Sequence, residues 1–363
     1  MIDEIERQIK PKIKGKLIYL SQYGSHLYGL DTPESDLDFR GVYIPMVDDF
    51  ILHKDKDEIN EELEIEIPQP SPTQKVGNME VTLSVLVTKK VKVDVKIFSL
   101  QKFIELCRDA DTNALDLLFS LKTDAGHQWK YEGLVKNIEE EMKYPIRYIY
   151  KYRHRLINTD RLFSPITYAH KQATKYSIKG IYVSILDKLI ETATDLYDNG
   201  QAAYVEDLLP YIEIDGQNVR IDEMDNHGST EHYLYVCGVQ HQFNLGLSVF
   251  IERLQNKLKT YSERSLKACR DKGNDWKALS HAIRVLLEVQ ELLETGNISL
   301  PLKDVKFVKD IKLGNLSREE VDKYFTKNLA EVLEQVEQDK LGWKYDEEFW
   351  NEFILKETKG CKA

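Results

Sequence analysis

The sequence contains little cysteine, with only four in 363 residues. None of them forms a CxxC pair or the short cysteine and histidine spacing of a zinc site, so disulfides and structural zinc are not expected. Long apolar runs are also missing. The longest uncharged stretch, from His232 to Phe250, contains histidine, glutamine and asparagine, which a lipid-facing helix tolerates poorly. The sequence therefore excludes a membrane-spanning class.

A surplus of positive charge is missing as well, because 50 lysine and arginine residues face 61 acidic ones and give a net charge of −11. This balance argues against a protein that coats nucleic acid through its global charge. The first residues show no apolar signal segment, so we expect a cytoplasmic protein. With 42% hydrophobic and 31% charged residues the chain is globular, and its length predicts two domains.

Four short segments in the first part of the chain have the apolar alternation of strands. They are Lys16–Ser21, Asp36–Ile44, Met79–Val87 and Val91–Ile97, and Thr88–Lys90 between the last two is typical of a hairpin turn. These segments predict a small mixed or antiparallel sheet.

The run from Lys54 to Glu66 carries seven acids, and three prolines follow it. We interpret about residues 46–78 as a solvated acidic and proline-rich insertion. Beyond Ser99 the apolar residues recur with helical period. The prediction is an α+β fold in which residues 1–130 form a sheet domain with flanking helices and residues 131–363 form an all-helical domain.

Candidate chemistry begins in the segment DLDFRGVYI. Strand alternation places Asp36, Asp38 and Arg40 on one face, with the two carboxylates about 7 Å apart along the strand, near enough to share a divalent metal. Ten residues or so upstream, Gly24 and Ser25 follow a strand, where backbone N–H groups and a small hydroxyl could hold a triphosphate.

A third acid, Asp94, lies on the polar face of the segment VKVDVKIF. If that strand pairs beside the strand of Asp36 and Asp38, the three carboxylates repel one another, and bound Mg²⁺ is the simplest compensation.

These residues carry a family resemblance. The string YGSHLYGLDTPESDLDFRGVYIP resembles the signature of the DNA polymerase β-like nucleotidyltransferase superfamily, which is a Gly-Ser motif, a spacer and a strand with paired acids. It is similar to the bacterial and phage "predicted nucleotidyltransferase" branch, some members of which are associated with RNA ligases and RNA repair. The similarity continues into NALDLLF, ITYAHKQATK and SHAIRVLLEVQELLETGNISLPL, so it covers most of the chain.

The resemblance implies roles for the residues that match the motif. Gly24 and Ser25 would contact the β- and γ-phosphates, and Asp36 and Asp38 would hold two Mg²⁺ ions. Asp94 would be the third catalytic metal ligand and could help to deprotonate the attacking hydroxyl.

Glu80 is the alternative third acid, since the acidic insertion separates Asp38 from Asp94. For Arg40, a phosphate contact and a structural ion pair with Asp38 or Asp94 are equally good interpretations.

A local excess of positive charge lies between Lys143 and Lys179, where nine basic residues and six tyrosines accompany a single acid. This mixture favours a surface for single-stranded nucleic acid, although the tyrosines could equally be core. Lys171 and Lys175 form one ridge of that surface, and we place them among the nucleotide-binding residues.

Three further candidates, Lys277, His281 and Arg284, lie opposite the apolar stripe of a later helix. They could complete a phosphate-binding cleft, or they could pair with Glu288 and other nearby acids.

The sequence as a whole favours a Mg²⁺-dependent nucleotidyltransferase that moves a nucleoside monophosphate from a triphosphate such as ATP to a hydroxyl, with release of pyrophosphate. An RNA or tRNA 3′ end is the favoured acceptor. A protein or a small molecule remains an alternative acceptor, and a non-catalytic nucleotide- or RNA-binding module remains an alternative function.

Overall fold

The computed structural model describes residues 1–69, 73–76, 79–82, 87–122, 145–226, 229–270 and 274–361. The strands in this part of the chain are β1 Gly15–Tyr23, β2 Leu37–Pro45, β3 Glu58–Gln69, β4 Thr73–Val76, β5 Met79–Thr82, β6 Val87–Ser99, β7 Val219–Asn226, β8 Ser229–Val236 and β9 Val239–Gln242.

The α-helices are α1 Ile2–Ile9, α2 Ser25–Tyr28, α3 Val47–Ile51, α4 Leu100–Arg108, α5 Thr112–Phe119, α6 Pro145–Lys151, α7 Phe163–Asp198, α8 Leu247–Leu258, α9 Glu263–Arg270, α10 Trp276–Thr295, α11 Val305–Lys312, α12 Arg318–Gln338 and α13 Glu347–Gly360. Short 3-10 helices cover Lys10–Lys12, Ser120–Lys122, Arg153–Arg155, Thr159–Arg161 and Val205–Tyr211. In the described ranges, no helix combines the length and the apolar character that a membrane crossing requires.

Contacts divide the chain into two compact units. Unit 1 comprises Met1–Thr167, Ile283–Asp310 and Lys323–Ala363, and unit 2 comprises Tyr168–Ala282 and Ile311–Asp322. The domain boundary that we predicted at residue 130 lies outside the described residues. The second half of the chain contributes to both units.

The main sheet of unit 1 has the strand order β1-β2-β6-β3. Strands β2 and β6 run parallel, whereas the β1–β2 and β3–β6 pairs are antiparallel. The predicted mixed sheet and the α+β fold class are therefore confirmed.

One face of this sheet is apolar because the strands alternate. Phe39, Val93 and Val95 are buried in a core that also takes Ile5 and Ile9 from helix α1. The polar residues between them must then stand on the opposite face. This division decides where the acidic side chains of β2 and β6 emerge.

The predicted insertion is wrong over Glu58–Gln69, which is strand β3 and pairs along its length with β6. Ile59, Leu63 and Ile65 alternate with the acids and are buried in the core. The acids in turn face lysines of the neighbouring strand, as in the 2.7 Å ion pair between Lys92 and Glu62. Opposite charges across a strand pair stabilise the pairing, so an acidic run can form a strand here.

The predicted hairpin turn at Thr88–Lys90 is also wrong, because these residues lie inside β6. They pair with Glu66, Ile67 and Pro68 of β3.

Unit 2 is mainly helical, but its described part includes an antiparallel sheet of β7, β8 and β9 that the sequence analysis did not predict. Its core gathers residues of α7, the sheet and α8, among them Leu189, Leu234 and Phe250. The predicted helical character of the later chain is confirmed, with this small sheet added.

Candidate functional site

A tight turn follows strand β1 at the position predicted to bind phosphate. Tyr23, the last residue of β1, pairs with Asp38 of β2, so Gly24 lies directly beside the Asp38 carboxylate. Gly24 has a φ of 68°, and a Cβ atom there would stand 2.3 Å from Oδ2 of Asp38. Only glycine fits, both for its φ and for this close approach. The one-turn helix α2 begins at the next residue, Ser25.

Two of the predicted carboxylates are neighbours across the parallel strand pair. Asp38 of β2 is in register with Asp94 of β6, and both lie on the face of the sheet opposite the apolar core. Asp38 is half-buried and Asp94 is exposed. Asp36, also exposed, comes just before the first residue of β2. The structure thus brings Asp38 and Asp94 together beside the Gly24 turn.

The acidic row continues into strand β3. Glu62 is in register with Asp94, so Asp38, Asp94 and Glu62 form one line across three strands. Glu62 is not among the predicted site residues, because the dense charge of this run predicts a solvated loop. Its alternation with Ile59, Leu63 and Ile65 was the available signal.

Glu80, the alternative third acid, lies on β5, which pairs with β4 in a separate two-stranded sheet. It is therefore not on a strand of the main sheet, whereas Asp94 pairs directly with Asp38. Of the two alternatives, the register favours Asp94.

Arg40 follows Asp38 by two residues on β2, so both side chains lie on the same face of the sheet. Its guanidinium carbon lies 5.1 Å from the centre of the Tyr23 ring, and Nη1 donates a 3.1 Å hydrogen bond to the Phe39 carbonyl. Its Nε is buried and has no hydrogen-bond partner. Because Nε is buried, an anion cannot reach it in this conformation, and a phosphate contact of Arg40 stays a prediction.

A groove of about 340 Å³ adjoins these residues on the sheet surface. Its lining includes Arg40 of β2 and Asn60 and Glu62 of β3, and Asp94 and Lys96 lie on the strand between them, β6. Lys96 is held by a 2.7 Å ion pair with Glu58. A polar ligand that reached Asp94 would have room here.

Asp38 and Asp94 fit Mg²⁺ by their number and chemical type, as two carboxylates beside a predicted phosphate site. No group of three histidine, cysteine, aspartate or glutamate side chains in the described ranges is arranged as a ready metal cage. Mg²⁺ seldom needs one, because it keeps several waters and binds through one or two carboxylates together with substrate phosphates. Asp38 and Asp94, paired beside the predicted phosphate turn, are a donor set of that kind.

Arg284 is placed differently from the prediction. Its side chain is 5% exposed, and Nη1 binds Oδ2 of Asp116 at 2.8 Å and Oε1 of Glu288 at 2.6 Å. A guanidinium that is buried and paired on two sides cannot contact a triphosphate in this conformation. We therefore correct its predicted nucleotide-binding role, and the alternative pairing with Glu288 is confirmed.

The remaining predicted nucleotide-binding residues belong to unit 2. Lys171 is exposed on α7, and the side chain of Lys175 lies outside the described part of that helix. Lys277 is exposed and His281 half-buried on α10. Their contact with a nucleotide stays a prediction.

The basic, tyrosine-rich segment also differs from an open nucleic-acid surface where it is described. Residues 143 and 144 lie outside the described ranges. Arg153 donates to the Gly296 carbonyl, Arg155 pairs with Asp346, and Tyr148 stacks on Phe353 at 4.9 Å.

These contacts belong to the packing of unit 1. Arg153, Arg155 and Tyr148 therefore have packing roles in unit 1, and the interpretation of the segment as a binding patch stays a prediction.

Comparisons with known proteins bear on this site. Residues 1–70 match the sequence model of the RlaP family, described as the RNA repair pathway DNA polymerase beta family. That range contains Gly24, Ser25, Asp36, Asp38 and Arg40 but not Asp94.

A relative in Enterobacteria phage T4, named "Uncharacterized 38.9 kDa protein in nrdC-mobD intergenic region", is 29% identical over 364 residues, which span 93% of this chain and 96% of the relative. No solved structure matches the chain. The family match covers the turn and the paired acids, so the resemblance seen in the sequence is confirmed: residues 1–70 are similar to a DNA polymerase beta family of an RNA repair pathway.

Proposed function

We propose that the protein transfers a nucleoside monophosphate from a nucleoside triphosphate to a hydroxyl acceptor, and that the acceptor is the 3′ end of an RNA. The observation that carries this proposal is the pairing of Asp38 with Asp94 directly beside the Gly24 turn. The match of this region to an RNA repair family supports the choice of RNA.

In this reaction the acceptor hydroxyl attacks the α-phosphorus, the bond from that phosphorus to its bridging oxygen breaks, and pyrophosphate leaves. Gly24 and Ser25 would bind the β- and γ-phosphates, and the guanidinium of Arg40 would contact a phosphate oxygen. Mg²⁺ held by Asp38, Asp94 and Asp36 would neutralise the phosphate charge. Asp94 faces the groove and would accept the proton of the incoming hydroxyl.

The acceptor side is assigned from the same geometry. The Gly24 turn lies on the β1 side of Asp38, whereas the groove starts at Arg40 of β2 and extends across β6 to Asn60 and Glu62 of β3. An attacking group and a leaving group in line must occupy opposite sides of the α-phosphate. The groove next to Asn60 and Lys96 is therefore where the RNA end would enter.

The test is a transfer assay with purified protein, Mg²⁺, each nucleoside triphosphate labelled at the α-phosphate, and an RNA with a free 3′ hydroxyl. We expect label in the RNA, and no label when the RNA carries a 3′ phosphate or when Asp38→Asn replaces the wild type. Label in the protein itself would identify a protein acceptor instead. Triphosphate binding without transfer to any acceptor would support a non-catalytic binding module.

A further inference from the structure

A buried polar cluster lies behind the Gly24 turn. It consists of Asp116 on α5 and Arg284 and Glu288 on α10, whose exposed fractions are 1%, 5% and 3%. Arg284 Nη1 lies 2.8 Å from Asp116 Oδ2, and 2.6 Å and 2.8 Å from the two Glu288 oxygens. One guanidinium thus joins two carboxylates that are far apart in sequence.

Two tyrosines connect this cluster to the turn. Tyr23 precedes Gly24 and Tyr28 ends helix α2, so they flank the turn on both sides. Both hydroxyls donate to Oδ2 of Asp116, at 3.1 Å and 2.6 Å.

The rings are held as well as the hydroxyls. Arg284 lies over the Tyr28 ring at 3.9 Å from its centre, and the two tyrosine rings meet edge to face at 6.0 Å. Tyr23 also carries the guanidinium of Arg40 on its ring. The same anchored tyrosine therefore touches a second group that faces the proposed phosphate site.

Stability alone does not explain such a cluster. Burying an ion pair costs so much desolvation that apolar replacements of similar volume are often as stable or more stable. Phenylalanine would fill the space of either tyrosine ring, yet both hydroxyls meet on one carboxylate oxygen. Unlike an apolar core, the cluster fixes the position of the turn, because the tyrosines on both sides of Gly24 are bound to the same oxygen, Oδ2 of Asp116.

We propose that Asp116, Arg284 and Glu288 are positioning residues that act through Tyr23 and Tyr28 to hold the Gly24 turn in the conformation that binds the triphosphate. This inference rests on the proposed function and names the residues that prepare its phosphate site. None of the three positioning residues touches the substrate.

The test removes the connecting hydroxyls and leaves the rings. Tyr23→Phe and Tyr28→Phe each delete one hydrogen bond to a buried carboxylate, and together they free the turn from the cluster. A contact made equally in the ground state and the transition state affects KM rather than kcat. We expect the double variant to raise the KM for the triphosphate about tenfold, which corresponds to the free energy of about one charged hydrogen bond. The kcat should change by less than about threefold, which is half of that free energy.

Tyr19→Phe is the matched control. Tyr19 is a buried tyrosine of the same strand, and its hydroxyl lies 2.8 Å from Ser120 Oγ, away from Asp116. This variant also loses a buried hydrogen bond, so its melting temperature should fall as in either single variant, while the KM should stay at the wild-type value. A merely structural role for Tyr23 and Tyr28 would leave all these variants with the same KM.

The outcomes separate the two proposals. If the wild type neither binds nor turns over any triphosphate, the proposed function is wrong. If the wild type is active and the double variant shifts the KM no more than Tyr19→Phe does, the positioning role is wrong and the function stands. Arg284→Lys adds a second measurement, because a retained charge should keep the KM nearer to the wild type than Arg284→Met does.

Discussion

Two pairs of carboxylates in unit 1 differ in their exposure to solvent. Asp38 and Asp94 stand on the open face of the main sheet, in register across a parallel strand pair. Asp116 and Glu288 are buried on two helices and share one guanidinium, that of Arg284. The first pair is placed to meet a ligand, and the second is placed to organise the protein around it.

The two pairs also differ in how their charge is compensated. Along β3 and β6 the acids have lysine partners, such as Lys92 for the exposed Glu62 and Lys96 for the half-buried Glu58. In the interior a single Arg284 serves two carboxylates. Burial raises the pKa of Glu288 to about 8; the Asp116 charge adds to this rise and the Arg284 charge opposes it. The rise favours a protonated Glu288, which needs no second cation.

The largest effect is expected when Arg284 is replaced by methionine. Removing one partner of a buried pair leaves uncompensated charge, so the free energy of unfolding should fall by about 3–5 kcal/mol. Urea denaturation of both proteins measures this. The control is Arg318→Met, since Arg318 forms an ion pair of the same i, i+4 spacing with Asp322, and these side chains are 32% and 51% exposed. That variant should lose less than about 1 kcal/mol, and equal losses would mean that burial does not distinguish the pairs.

Replacing Asp38 by asparagine should have the opposite profile. Nucleotidyl transfer should fall by about 100- to 1000-fold or more, the scale seen when one electrostatic stabiliser of a reaction is removed. Stability should stay constant or rise, because like charges directly opposite on neighbouring strands repel.

Glu66→Gln is the control for this experiment, since Glu66 is an exposed acid on the same face of the sheet, on β3. It should leave transfer unchanged. If Asp38→Asn unfolds the protein, the exposed acids are structural and the assignment of the site is wrong.

Much of the exposed site could be predicted from the sequence, and little of the buried cluster could. Asp38 and Asp94 alternate with apolar residues, and period two is enough to place each on the polar face of its strand. Asp36 precedes β2, so its place in the site stays a prediction. Glu62 lies in a run whose charge density predicts a loop. The alternation of its acids with isoleucine and leucine predicts a strand instead, and this second pattern is the correct one.

Asp116 is a single acid inside the apolar run NALDLLF, which is a signal of burial. Its partners, Arg284 and Glu288, lie more than 160 residues away, as the Asp116–Arg284 separation of 168 residues shows. Local patterns carry no information on such a contact, because only the folded chain brings the helices together.

The pH dependence of stability sharpens the comparison. The pKa of Glu288 is raised from 4.5 to about 8 in the folded state, so the folded protein keeps a proton that the unfolded chain loses. Its contribution is complete below about pH 4.5 and is lost as the pH rises through about 8. The slope is at most about 1.4 kcal/mol per pH unit.

Urea midpoints from pH 5 to 9, compared between the wild type and Glu288→Gln, isolate this effect from other titrating groups. Asp116 and Tyr28 face Glu288 from other elements, and Arg284 faces it from its own helix; all of them remain in both proteins. We expect the stability of the wild type relative to the variant to fall as the pH rises. A constant difference would show that Glu288 is ionised in the folded protein throughout.

The smallest effect is expected at the exposed ion pair of Glu58 and Lys96, where both side chains are 32% exposed. The hydrogen bond from Lys96 lowers the pKa of Glu58, so this stabilisation is present above pH 4.5 and is lost as the pH falls through the lowered value, the reverse of Glu288. After discounting for solvent screening, a double-mutant cycle with Glu58→Gln and Lys96→Met should give a coupling of about 0.5 kcal/mol. High salt should reduce it further, because solvent-exposed charges are screened. A coupling free energy of about 3–5 kcal/mol, the loss expected at the buried Arg284, would mean that water screens the open face of the sheet no better than the interior. The contrast between the two pairs of carboxylates would then fail.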